Sequence, residues 1–157
     1  MKNRFGIAVL MAACLLMTGG MTGCSNDDDN DDLETVINVN RLPDAARAFI
    51  NTYYPSATVR SVMRDVDDGI VVYEVDFTNG HEVTFDSRGE WIEVDAPDGQ
   101  SIPAGIVPVA IETYLDANYS GYGVNDITRT GMGYEVELVT GVDLLFDSLG
   151  NFLGIDH

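Results

Sequence analysis

The stretch Tyr73-Glu74-Val75-Asp76-Phe77-Thr78-Asn79-Gly80-His81-Glu82-Val83-Thr84-Phe85-Asp86 decides the fold. Apolar and polar residues alternate on both sides of Asn79-Gly80, the pattern of two half-buried strands joined by a tight turn. A two-residue loop would pair Thr78 with His81 and set Val83 and Phe85 among the acids. A three-residue loop, Thr78-Asn79-Gly80 with a left-handed glycine, pairs Phe77 with His81, Val75 with Val83 and Tyr73 with Phe85. That register gathers the large apolar groups on one side and is the one expected.

The hairpin is written twice. Tyr73, Val75, Phe77, Gly80, Val83, Phe85, Asp86, Gly89 and Trp91 meet Tyr134, Val136, Leu138, Gly141, Leu144, Phe146, Asp147, Gly150 and Phe152 at an offset of 61. Upstream, Leu42-Pro43 through Ile50 meets Val107-Pro108 through Leu115 at an offset of 65, so the first copy carries four extra residues near Asp65–Gly69. An indel confined to one turn is what duplication of a folded unit leaves. Ala46, Phe49, Ile50 and Tyr53 form a helical stripe that Tyr54-Pro55 ends, and Ile111, Tyr114, Leu115 and Asn118 repeat it. Pro43 suits the first helical position, and Ile102-Pro103 is expected to add a short turn of helix before the second stripe. Asp86-Ser87-Arg88-Gly89 and Asp147-Ser148-Leu149-Gly150 read as type I turns capped by the aspartate. The expected fold is therefore α+β. Two tandem α-β4 repeats form one antiparallel sheet of about eight strands, with both helices packed on one face.

These residues resemble a known family. Leu42-Pro43, Phe49-Ile50 and Tyr53-Tyr54-Pro55 stand ahead of Tyr73-x-Val75-x-Phe77-x-Asn79-Gly80-x-Glu82-Val83-x-Phe85-Asp86-x-x-Gly89-x-Trp91. The pattern resembles the PepSY-like, beta-lactamase-inhibitor-protein-like family of secreted and lipoprotein domains, over about residues 40–157. The second copy departs from it at Ser120, Thr140 and Phe152. The resemblance implies a tandem α/β domain whose open sheet face grips a partner protein, and inhibition of an enzyme as a family-level use of that grip.

The ends of the chain bear on location. Lys2 and Arg4 precede the apolar run Phe5–Met21, which is too short and broken for a good membrane span. Met21-Thr22-Gly23-Cys24 resembles the lipobox of bacterial lipoproteins, with Met11-Ala12-Ala13-Cys14 a competing site. Residues 1–23 are thus expected to be a lipoprotein signal peptide and Cys24 the lipidation site. Residues 24–40, opening with Cys24-Ser25-Asn26 and a run of aspartates, form an acidic flexible tether. The domain spans 41–157, its repeats 41–96 and 101–157. Ser-Asn followed by acids resembles a surface-export signal, so the expected location is the outer membrane, lipid-anchored, with either a cell-surface or a periplasm-facing position.

Eight basic residues face twenty-six acids in the 157-residue chain; past residue 23 six basic residues remain, all arginine, a formal charge of −20. Such a chain repels nucleic acid and anionic lipid, and its contact with a membrane is expected only through the anchor. The mature chain has no thiol besides Cys24 and only two histidines, His81 and His157. No nucleophile, base and orienter come together in the sequence, so no catalytic residue, cofactor or enzymatic activity is expected. No metal site is expected either. Asp65-Val66-Asp67-Asp68-Gly69 reads as a turn, because its glycine falls one place early for a calcium loop and no chelating Glu follows in register.

The polar sheet face is the candidate site. The register places Glu74, Asp76, Glu82, Thr84, Glu90, Ile92 and Val94 there from the first copy, and Glu135, Glu137, Asp143, Leu145, Leu153 and Ile155 from the second. Acids would surround an apolar strip, a docking surface for a basic protein or peptide in which carboxylates steer and aliphatics anchor. The strip vanishes if residues 33–41 or the chain end cover it, or if the last-strand register slips by one. The alternative function is a small-ligand, peptide-binding or structural envelope lipoprotein, which a pocket between helix and sheet would favour.

Overall fold

A computed structural model describes residues 34–156 apart from Asp68. The signal segment, Cys24, the aspartate run and His157 lie outside the described residues. The elements run β1 (Thr35–Val36), a short 3-10 turn (Val39–Arg41), α1 (Asp44–Tyr53), β2 (Val59–Asp67), β3 (Ile70–Phe77), β4 (Glu82–Asp86), β5 (Trp91–Asp95), α2 (Val109–Asn118), β6 (Val124–Thr130), β7 (Gly133–Leu138), β8 (Asp143–Asp147) and β9 (Phe152–Asp156). All nine strands form one antiparallel sheet in sequential order. The ninth, unexpected strand is β1, which pairs Thr35 and Val36 with Arg64 and Met63 inside the segment expected to be tether.

The central hairpin has the three-residue loop. Val75 pairs with Val83 and Tyr73 with Phe85, the Phe77 N–H donates to the His81 carbonyl, and Gly80 has φ 87°. In the second hairpin Val136 pairs with Leu144, and the Leu138 N–H donates to the Val142 carbonyl. β2 and β3 have nine and eight residues, against seven and six in β6 and β7. The turns after β4 and β8 are capped as expected: Asp86 Oδ1 accepts from the Arg88 and Glu90 amides, and Asp147 Oδ1 from those of Leu149 and Asn151.

The core is built from the apolar side of these strands. Val75, Phe77, Val83, Phe85, Val94, Ile127, Val136, Leu138 and Leu144 are fully buried. On α1, Phe49 meets the edge of Phe85 at 5.5 Å, and Tyr54 at its end stacks on Phe77 at 4.4 Å. On α2, Tyr114 meets Phe146 at 5.5 Å and stacks on Phe152 at 4.6 Å. Such aromatic pairs contribute about 1 kcal/mol each beyond the area they bury. Glycine brings the turns against the helices. A Cβ at Gly89 would lie 2.7 Å from the Ala46 nitrogen, and one at Gly150 would lie 2.8 Å from the Ala110 Cβ.

Two local expectations change. Pro43 is the N-cap of α1, its carbonyl accepting from the Arg47 amide, one place before the first helical residue. The segment from Ile102 to Pro108 makes turns and no helix, and the Ile102 amide donates to the Val124 carbonyl at its start.

Candidate functional site

Four β-bulges set the polar face. The register shifts between Val59 and Ser61 in β2 and between Val124 and Asp126 in β6, where Arg60 and Asn125 are the extra residues. It shifts again in β5 and β9, where Ile92 and Leu153 stand between paired neighbours. A bulge of one residue reverses the facing of everything beyond it. Val94 therefore pairs with Val83 and Ile127 in the core, and Ile155 pairs with core residue Leu144.

This corrects the expected apolar strip. Val94 is fully buried and Ile155 lies in register with the core side, while Ile92 and Leu153 occupy the bulges. Plain alternation along the last strands omits the extra residue that follows each glycine turn. Glu74, Asp76, Glu82, Thr84, Glu135, Glu137, Asp143 and Leu145 do share the polar side, as expected. To them the bulges add Glu93, Asp95, Asp126, Thr128 and Asp156, which the sequence reading missed. The alternation Glu93-Val94-Asp95, counted back from a buried Val94, was the signal for the first two.

The result is a row of directly opposed carboxylates. Asp76 pairs with Glu82, Glu82 with Asp95, Asp95 with Asp126, Asp126 with Glu137, Glu137 with Asp143, and Asp143 with Asp156. Seven strands thus contribute one acid each to a single line. The adjacent line runs Glu74, Thr84, Glu93, Thr128, Glu135, Leu145 and Gly154. Opposed side chains have Cβ atoms about 5 Å apart, and like charges so placed oppose folding.

Local chemistry offsets the repulsion at the β2 end. Arg60, from its bulge, donates to Asp76 Oδ1 at 2.6 Å, and Ser61 donates to Oδ2 at 2.6 Å. Further along the face, in both lines, the carboxyls take up protons more readily. Burial, then Glu82, Asp95 and Glu74, push Glu93 up to about 7. Burial, then Glu93 and Asp95, push Asp126 up to about 8 against the Thr128 hydroxyl that donates to it at 3.2 Å. Burial and the nearby Asp143, Asp156 and Glu137 raise Glu135 as well. Oxygens of Glu74, Asp76 and Glu82 lie within 4.8 Å of one another, close enough to share one metal ion. Glu90 stands apart, 4.0 Å from Arg129, whose guanidinium covers the Trp91 ring at 3.9 Å. No helix among the described residues is long and apolar enough to cross a membrane.

Comparison with known proteins follows the same architecture. The model of a family described as "Putative beta-lactamase-inhibitor-like, PepSY-like" matches residues 71–154. A solved structure of a "putative periplasmic protein of unknown function" from Bacteroides vulgatus is 35% identical, with TM-score 0.74, covering 79% of this chain and 99% of that one. A "putative calcium-regulated periplasmic protein" from Bacteroides thetaiotaomicron is 36% identical, with TM-score 0.74, covering 79% and 97%. A further Bacteroides vulgatus "putative periplasmic protein", of the DUF2874 family, is 35% identical, with TM-score 0.75, covering 83% and 100%. No curated protein matches the chain.

Proposed function

Since the chain belongs to the putative beta-lactamase-inhibitor-like, PepSY-like family, we propose that it is a cell-envelope binding module whose acidic sheet face takes positively charged ligands, calcium foremost. The observation that carries this reading is the row of seven opposed carboxylates. Without a cation the row costs folding free energy, and with one it becomes a set of hard oxygen ligands. Calcium accepts six to eight such oxygens in variable geometry, whereas magnesium demands a near-ideal octahedron. Side chains from separate strands suit the more tolerant ion.

The residues fit that ion. Glu74, Asp76 and Glu82 span a distance one calcium can bridge. Glu74, Asp76 and Glu82 would each supply oxygens to the ion, Asp76 with the lone pairs that Arg60 and Ser61 leave. The description of the 36% identical relative as a "putative calcium-regulated periplasmic protein" supports the same choice.

One ion does not fill the face. Six strand spacings of about 4.8 Å make the row about 29 Å long. The rest suits a basic segment of a partner protein, drawn by the acids and held once the aliphatic Leu145 and the stems of the glutamates are covered. The family description makes blocking an enzyme one use of such a grip. The scaffold fits two equivalent α-β4 units with both helices over the apolar side. Bulges at Arg60 and Asn125, and at Ile92 and Leu153, recur at the offsets of 65 and 61 seen in the sequence. Lipidation at Cys24 would hold the module at the outer membrane by its acidic tether, at the cell surface or facing the periplasm. The periplasmic descriptions of the relatives support an envelope location.

Titration calorimetry with calcium chloride tests the reading. Saturable binding that Glu82→Gln or Asp126→Asn weakens supports it; identical heats in protein and variants rule out an ion on the row. Pull-down from envelope extract, with and without chelator, tests the partner. Glu74→Lys or Glu135→Lys should release it, and retention by both would remove this face as the docking surface.

A further inference from the structure

The first unit carries a second site, at the end of α1. Tyr54 ends α1, its ring stacked on Phe77 at 4.4 Å and edge-on to His81 with centroids 5.6 Å apart. Tyr54 is 5% exposed and His81 8%. Yet the Tyr54 Oη and the His81 Nδ1 are both buried with no hydrogen-bond partner. A buried polar atom left in that state is costly and uncommon in folded proteins. Both residues line a cleft of about 430 Å³ between the end of α1, the β3–β4 turn and the segment entering α2.

The cleft has a definite chemistry. None of its lining side chains is charged, on a chain that carries a large excess of acids. Ser56, Thr78, Asn79 and Ser101 supply hydroxyls and a carboxamide around its rim. Tyr53 and Pro103 form an apolar wall, fixed where the Tyr53 hydroxyl donates to the Gly105 carbonyl at 3.1 Å. Burial, then Asp95, hold the Tyr54 phenol protonated, and burial holds the His81 imidazole toward its neutral form. The cleft therefore offers donors and acceptors without charge, beside apolar surface.

The fold itself does not require this pair. At the equivalent place in the second unit Val142 replaces His81, and Tyr119 is partly exposed and packs on Tyr114 at 6.3 Å. The orphaned tyrosine–histidine pair belongs to the first unit. We propose that this cleft binds a neutral sugar residue. A sugar hydroxyl both accepts from a phenol and donates to, or accepts from, an imidazole nitrogen, and its C–H face packs on Tyr and Pro. An anion is disfavoured by the surrounding acids, and a cation finds no carboxylate in the lining.

The test is amide and ring NMR of the mature protein titrated with N-acetylglucosamine and, separately, its trimer, with gluconate as an anionic control. Saturable shifts at Tyr54, Asn79 and His81 are expected with the neutral sugars and none with gluconate. Tighter binding of the trimer would mean a chain-borne sugar, and equal binding a free one. Tyr54→Phe, which keeps the ring stack, and His81→Val, which installs the residue of the second unit, should each weaken binding about tenfold. Tyr54→Phe should leave the melting temperature of the sugar-free protein unchanged or higher. No saturable shift with either sugar, or unchanged affinity in both variants, overturns the proposal. So does a lower melting temperature in Tyr54→Phe without sugar binding, which would show that ordered water completes these atoms. Calcium binding on the acidic face is read separately, so neither result decides the other.

Discussion

Replacing Asp126 with asparagine tests the acidic row where its electrostatic load is greatest. Asp126 stands between Asp95 and Glu137, and burial with Glu93 and Asp95 lifts its carboxyl from 3.8 to about 8. At about 1.4 kcal/mol per pKa unit, keeping it ionised costs about 6 kcal/mol as a ceiling. Side-chain relaxation and water at the face reduce this, and about 2 kcal/mol is the expected effect. The sign follows from proton binding. A carboxyl whose folded pKa lies above its unfolded value binds more protons when folded, so stability falls as pH rises from about 4 to about 8. The asparagine side chain would keep the shape and could still accept from Thr128. Asp126→Asn should thus be near neutral at about pH 4 and stabilising by about 2 kcal/mol at about pH 8.5 in chelator. Urea unfolding followed by circular dichroism at both pH values measures it. Added calcium should stabilise the parent at high pH by mass action and the variant less. A variant less stable than the parent at high pH, or a difference independent of pH, would refute the electrostatic reasoning.

Three other outcomes are expected. Asn125→Leu removes an amide nitrogen that lies 2.9 Å from the carbonyls of Ala96 and Gln100 and 3.2 Å from that of Pro97, and should cost about 2–3 kcal/mol in urea unfolding. Gly89→Ala combines φ 86° with a Cβ 2.7 Å from the Ala46 nitrogen and should cost about 2–3 kcal/mol, whereas Gly99→Ala, with open space around it, should cost about 1 kcal/mol. Fatty-acid labelling in a bacterial host should vanish in Cys24→Ala and persist in Cys14→Ala; the reverse pattern would move the lipid to Cys14.

The hairpin registers were legible because each has its own arbiter: a left-handed glycine with strict alternation around it. The same rule failed at the strands that follow. Trp91-Ile92 and Phe152-Leu153 are adjacent apolar pairs, so either phase of the following strand satisfies a period of two. Only the strand pairing shows that Ile92 and Leu153 are the extra residues of bulges. The acidic row was invisible for the same reason. Its middle members, Asp95 and Asp126, come together across the β5–β6 pairing, whose strands are separated by α2 and have no hairpin turn to set their register. β1 has two residues, too few for any periodicity. The Tyr54–His81 cleft depends on side chains from a helix end and a turn 27 positions apart, where pattern reading sees only a helix stop and a strand end.

A crystal structure of the protein grown with calcium at neutral pH addresses the acidic face most directly. An ion is expected about 2.4 Å from oxygens of Glu74 and Glu82, with Glu93, Asp95 and Asp126 lined up beside it on one side of the sheet. A calcium-free row with its acids dispersed to both sides of the strands, and Val94 turned to solvent, would contradict it.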